Sequence, residues 1–213
     1  MKKKLMLPLI VAAFGLSACS SEPAAPPLEA DQLQNLLIDG SESGLDNATQ
    51  RKDMVLIGQP INFTVIRDSS AIDGSCGEAL QAVENVHVKG VASTTRTLET
   101  DDKQVSIALY STPEDNEVSP MGLYADVTEA CEEAVINSPD ITYTFGTLDN
   151  VPEKAVGFSL HLETTTGNQG STLTMIQELG NHHLIVVGLE TTPEETVTVF
   201  EAQRTKLEEG LAA

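Results

Sequence analysis

The segment Met1–Cys19 decides the compartment in which the rest of the chain folds, and with it the chemistry open to the other cysteines. Lys2, Lys3 and Lys4 form a positive start, and Leu5–Leu16 is a twelve-residue apolar run, too short to span a bilayer as a stable helix. This is the pattern of a signal peptide. Leu16-Ser17-Ala18-Cys19 closes it: two small residues admit a peptidase, and a cysteine follows where an ordinary secretory signal has another small residue.

Those four residues resemble the lipobox of bacterial lipoproteins, in which the thiol takes a diacylglyceryl group before cleavage and the new amino group is often acylated too. The resemblance implies that residues 1–18 are removed and that Cys19 becomes a lipidated N-terminus on the extracytoplasmic face of the cell membrane. A diacylated cysteine meets the two-chain requirement for stable anchoring, each buried methylene contributing about 0.8 kcal/mol. Ser20–Pro27 is rich in Pro and Ala, so residues 19–27 read as an extended tether. Residues 28–213 are of a length for one extracytoplasmic domain.

Without the three leading lysines, 9 basic residues stand against 32 acidic ones, a net charge of −23 (9 − 32). Such a body is repelled by nucleic acid, by anionic lipid headgroups and by anionic wall polymers. Glu114-Asp115-Asn116-Glu117 and Asp101-Asp102 lack the alternating ligands and turn glycine of a calcium loop. Setting Cys19 aside leaves Cys76 and Cys131, and an even pair in an oxidising compartment reads as one disulfide. Across 55 residues (131 − 76) it is worth about 4 kcal/mol in the chain-entropy account. The competing reading makes Cys76 a thiolate nucleophile at a helix start.

Periodicity outlines the domain. Leu33, Leu36 and Leu37 predict a short helix over Ala30–Ile38, stopped by Gly40, and Asp39–Asp53 is a polar loop. Gln59–Arg67 alternates as a strand, with Ile61, Phe63 and Val65 on one side. Ser75 and Glu78 predict a capping box opening a helix. Strands follow over Val86–Thr95 and Gln104–Tyr110. Ser119-Pro120 starts a helix whose apolar stripe runs Leu123, Val127, Ala130, Cys131, Ala134, Val135. Ile141–Thr147, Ala155–Glu163, Ser171–Leu179 and His182–Leu189 are strands. Leu184–Leu189 is apolar on both faces, which places it mid-sheet. Thr192-Pro193-Glu194-Glu195 opens the closing helix. The fold class is therefore α+β: a two-layer, twisted, mostly antiparallel sheet with helices packed on one face, and one disulfide.

This layout is similar to the actinobacterial cell-envelope lipoproteins related to the extracellular sensor domain of PknH-type kinases, and to neighbouring mycobacterial lipoprotein families. The residues carrying the likeness are Leu33–Ile38, Cys76, Tyr110–Pro113, Tyr124–Cys131 and Val156–Leu160. The sensor family commonly has a second disulfide and a Trp near the mid-chain cysteine, and this chain has neither. The resemblance implies an antiparallel α+β domain with a binding cleft, and no catalytic residue.

No GxSxG, HExxH, SxxK or CxxC occurs, so no enzyme class, cofactor or metal is expected. His182-His183 is the nearest approach to a metal motif, yet neighbours on a strand point to opposite faces, and the pair reads as a hairpin end with one ring solvated. The expected role is ligand binding or sensing at the envelope, with a lipid or glycolipid carrier and a motif-less hydrolase as alternatives. Its partners are the membrane, through the anchor, and a small polar, glycan or protein ligand. Alternation suggests where that ligand sits. In Ala155–Glu163, Val156, Phe158, Leu160 and Leu162 face the helices, while Gly157, Ser159, His161 and Glu163 face away. The same rule sets Ser106, Tyr110, Thr172 and Thr174 opposite the apolar rows. Curvature of that polar face makes a shallow cleft in which Tyr110, Ser159 and His161 offer hydrogen bonds, unless the face is merely solvated.

Overall fold

The computed structural model describes residues 26–61, 65–66, 69 and 72–212; the signal segment, Cys19 and residues 20–25 lie outside them. Four helices are described: α1 (Ala30–Leu36), α2 (Gly74–Asn85), α3 (Pro120–Ala130) and α4 (Pro193–Leu211). The strands are β1 (Thr49–Gln50), β2 (Met54–Ile57), β3 (Pro60–Ile61), β4 (Val88–Lys89), β5 (Ala92–Glu99) and β6 (Gln104–Ser111). They continue with β7 (Val135–Asn137), β8 (Ile141–Thr147), β9 (Val156–Thr164), β10 (Gln169–Leu179) and β11 (His182–Leu189). Nine of them form one antiparallel sheet in the order β1-β5-β6-β11-β10-β9-β8-β7, with β2 also pairing β5; β3 and β4 form a separate ladder.

The α+β class with an antiparallel sheet, four packed helices and one disulfide is the one the sequence predicts. The placement of the helices on one face is not. Successive residues of β11 enter different cores: Leu184 and Val186 pack with Leu33, Val199 and Phe200 of α1 and α4, whereas Ile185 and Val187 pack with Tyr124 and Val127 of α3. The register carries both faces outward, Ala108, Ile185, Ile176 and Val156 lying abreast on the α2–α3 side. The sheet is thus a middle layer with helices on both sides. Each buried Leu, Ile or Val contributes roughly 1.5–3 kcal/mol, so a doubly apolar hairpin needs both covers.

Local rules set most boundaries. Ser119 caps α3 by accepting from the Gly122 amide at 3.0 Å, with Pro120 next, and Thr192 and Glu195 complete the capping box of α4. The capping box expected at Ser75 does not form: Asp73 precedes the first turn and α2 starts at Gly74, which puts Ser75 inside the helix. The strand expected over Val86–Thr95 breaks at Gly90, where a side chain would meet the Gln59 carbonyl oxygen and Ile61 at 3.0 Å. Of the strand expected over Gln59–Arg67, only β3 is formed among the described residues, and residues 62–64, 67 and 68 lie outside them. Helix α3 ends at Ala130, so Val135 leaves the predicted stripe and is exposed on β7. β1 lies within Asp39–Asp53, where a polar loop is expected, and β2 directly follows that stretch, where the sequence predicts no strand. Cys76 and Cys131 are bonded, Cα atoms 4.7 Å apart, joining α2 to the end of α3; the nucleophile reading of Cys76 is excluded.

Helix α1 also stops earlier than expected, and buried side chains take over its last carbonyls. Leu37 is extended, and Leu37 and Ile38 are both buried. Arg96 Nη1 donates to the Leu37 and Ile38 oxygens at 3.1 and 3.2 Å, and Gln203 Nε2 to the Leu36 oxygen at 2.9 Å. Gln203 Oε1 in turn accepts from the Ile38 amide at 3.0 Å. The other side of the Arg96 guanidinium forks onto Asp53 at 2.9 and 2.7 Å, and this donation holds the Asp53 carboxyl below its ordinary range. Removing one partner of a buried pair strands the other. Arg96→Met is expected to lower unfolding free energy by about 3–5 kcal/mol, whereas Arg51→Met, breaking the exposed pair with Glu99, costs under about 1 kcal/mol; urea unfolding of the two variants checks the difference.

Candidate functional site

The register on the α2–α3 side of the sheet brings Phe158 beside Thr174, Leu160 beside Thr172, and Thr174 beside Val187. Helix α3 covers only part of this surface. Phe158, Leu160 and Leu162 of β9, Thr172 and Thr174 of β10 and Val187 of β11 are left as the floor of a cleft of about 410 Å³. Tyr124 of α3, Tyr143 of β8, and Val65 and Ile66 line it further. Tyr124 leans on Phe158 with ring centroids 5.9 Å apart, and Phe158 on Phe145 at 5.8 Å, both pairs tilted, so the aromatic wall is held by ring-on-ring contacts. Burial, then the nearby Tyr110, pushes the Tyr124 hydroxyl far above its usual value, so it stays protonated at any physiological pH. Two threonines and two tyrosines along an apolar bed suit a ligand with an apolar body and a few hydrogen-bonding groups.

The three residues expected to share a cleft are not together. Ser159 and His161 pair with Leu173 and Ser171 on the α1–α4 side, where β9 is outside the cover of the helices and His161 is exposed. Tyr110 lies on the opposite face, packed against the α2–α3 core and abreast of His183. Burial pushes its hydroxyl up to about 12. The expectation fails because β6 and β9 turn their apolar rows to different layers: Ile107 and Leu109 meet α1 and α4, whereas Phe158 and Leu160 meet α2 and α3. Their polar rows therefore face opposite ways. Thr172 and Thr174 were read as polar-face residues and do line the cleft; its apolar floor was read as core.

His182 and His183 do point to opposite faces, Ser111 lying beside one and Tyr110 beside the other. Neither ring is solvated, contrary to expectation: exposures are 0 % and 2 %. His183 Nε2 is 3.5 Å from Thr112 Oγ1, and its Nδ1 lies 3.7 Å from Glu178 Oε1. Glu178 itself accepts from Ser119 Oγ and, at 2.8 Å, from the Met121 amide at the start of α3. Neither nitrogen of His182 has a hydrogen-bond partner among the described residues. No group of three or more His, Cys, Asp or Glu able to hold a metal occurs among the described residues.

No protein-family model matches the sequence, and no curated protein matches it. The described architecture is a mixed α+β domain, an antiparallel sheet with four helices packed against it. It is similar to the extracellular domain of PknH from Mycobacterium tuberculosis, with 12 % identity and a TM-score of 0.53 over 87 % of this chain and 99 % of that one. It is also similar to the Rv0999 ortholog of Mycobacterium smegmatis, an uncharacterised protein, with 9 % identity and a TM-score of 0.53 over 85 % of this chain and 97 % of that one. Neither neighbour is described as an enzyme.

The histidine pair makes stability depend on pH. Burial, with His182 next, lowers His183 to about 4, and burial lowers His182; unfolding returns both towards about 6.5. Between these limits the unfolded chain binds more protons, so stability is complete above pH 6.5 and falls as pH drops towards 4, by at most about 1.4 kcal/mol per unit for each histidine. Asp53, whose ordinary value is 3.8, contributes its loss only below that window. Urea unfolding at pH 7, 5.5 and 4.5 should show the decline, and His183→Gln should make it shallower between pH 7 and 5.5, above the range in which Glu42 and Glu195, both held below their ordinary 4.5, add their own loss.

Proposed function

We propose that this chain is a membrane-anchored extracytoplasmic module that binds or senses a small amphipathic ligand in the cleft over Phe158, Leu160 and Thr174. The observation that carries the reading is that cleft: two tyrosines and two threonines lining an apolar floor. Its volume lies in the lower part of the range for small-molecule sites, which favours a compact ligand over a carried two-chain lipid. The fold likeness to an extracellular domain supports an extracytoplasmic setting, as does the disulfide. Among the described residues no helix is long and apolar enough to cross a membrane. Attachment is assigned to a lipidated Cys19 on the strength of Leu16-Ser17-Ala18-Cys19, with residues 20–27 as the tether.

Two variants test the two halves. Val187→Trp fills the cleft from its floor, and is expected to weaken binding of the neutral apolar probe N-phenyl-1-naphthylamine by about tenfold or more, the value of a lost apolar contact set, while circular dichroism stays unchanged. Undiminished probe binding would remove the cleft from the proposal. Cys19→Ala should move the protein out of the membrane fraction or leave it as unprocessed precursor; normal processing with membrane retention counts against the anchor.

A further inference from the structure

We propose that β2 is a membrane-contacting edge, with Met54–Ile57 seated in the interfacial layer of the bilayer that holds the lipid anchor. This rests on the anchoring reading above and adds an orientation for the domain. Met54, Val55, Leu56 and Ile57 are 56 %, 38 %, 41 % and 64 % exposed. Single apolar residues are common on surfaces, but a contiguous apolar run marks an interaction site. Its position is equally unusual. β2 pairs β5 along one side only among the described residues, and natural sheet edges are normally blunted by charges or proline. Because side chains alternate, Met54 and Leu56 flank one side of the strand and Val55 and Ile57 the other, so the edge is apolar on both flanks.

The origin of the tether selects the occupant. The Leu28 amide donates to Ser111 Oγ at 2.8 Å. Ser111 is abreast of Ala92, which is abreast of Ile57. The tether therefore enters the fold two strand spacings from Ile57, about 10 Å. The nine steps from Cys19 to Leu28 reach at most about 30 Å. A lipid at Cys19 thus holds this edge within reach of the bilayer surface. Charge points the same way. A net −23 on each mature chain opposes edge-to-edge pairing of two copies, whereas the exposed Lys52, just before the strand, suits the phosphate of a zwitterionic headgroup. The backbone groups on the side of β2 away from β5, unpaired in the sheet among the described residues, limit the depth, since such groups require water and are tolerated in the interfacial layer but not in the hydrocarbon core.

The test uses the full-length lipidated protein in phosphatidylcholine vesicles, carrying an environment-sensitive nitrobenzoxadiazole label at Ile57→Cys. The same label at Val135→Cys, an exposed apolar site on the opposite sheet edge, is the reference. Shallow nitroxide-labelled lipid is expected to quench position 57 about threefold or more above position 135, as for an interfacially buried apolar segment. Equal quenching in protein that floats with the vesicles overturns the edge contact and leaves the anchor standing. Failure to float overturns the anchor and this proposal with it. Energy transfer between copies labelled at position 57, without lipid quenching, assigns the edge to a second copy and overturns the membrane reading.

Discussion

The hairpin β10–β11 cannot be left with a wet face, and the rest of the fold follows from that. Leu184, Val186, Leu173 and Met175 point one way, Ile185, Val187 and Ile176 the other. A sheet whose middle strands are apolar on both sides needs a helical layer on each. Helices α1 and α4 supply one layer; α2 and α3, joined by Cys76–Cys131, supply the other. Neither layer spans the whole sheet, so each flank has one covered and one open face. The cleft and the solvated row of Ser159 and His161 are both consequences of that incomplete cover.

Burying so much sheet also buries polar groups, which are handled unequally. Arg96 and Gln203 satisfy the extended exit of α1, and Glu178 satisfies the start of α3. Such pairings turn a desolvation cost into a constraint on where helices sit. His182 is a counterexample, a neutral ring held at 0 % exposure with both nitrogens unpaired among the described residues. The result is a domain whose hairpin end is sensitive to acid, while its cleft, lined by uncharged hydroxyls and apolar groups, is not.

Function of the proposed kind fits this division. The cleft sits on rigid strands with registers set by long ladders, so its hydroxyls are pre-positioned and a ligand need order little on binding. The apolar edge at β2 lies on the other side of β5 and β6 from that cleft. Membrane contact at the edge and ligand entry at the cleft therefore need not compete for the same surface.

By itself the sequence determined the longer elements and part of their local punctuation. The stripes of β9 and β11, the caps at Ser119 and Thr192, the mid-sheet place of Leu184–Leu189 and the pairing of Cys76 with Cys131 all follow from periodicity, capping chemistry and cysteine count, which depend on neighbours along the chain. The layer that each apolar row meets was decided only in three dimensions. Alternation says that Ile107 and Ser106 point apart, and that Phe158 and Ser159 do, but it does not relate one strand's two sides to another's. That relation comes from strand order and register, and here it sends the polar rows of β6 and β9 to opposite faces. Tyr110 is separated from Ser159 and His161 for that reason, and an apolar row read as core became the floor of a cleft where helix cover ends.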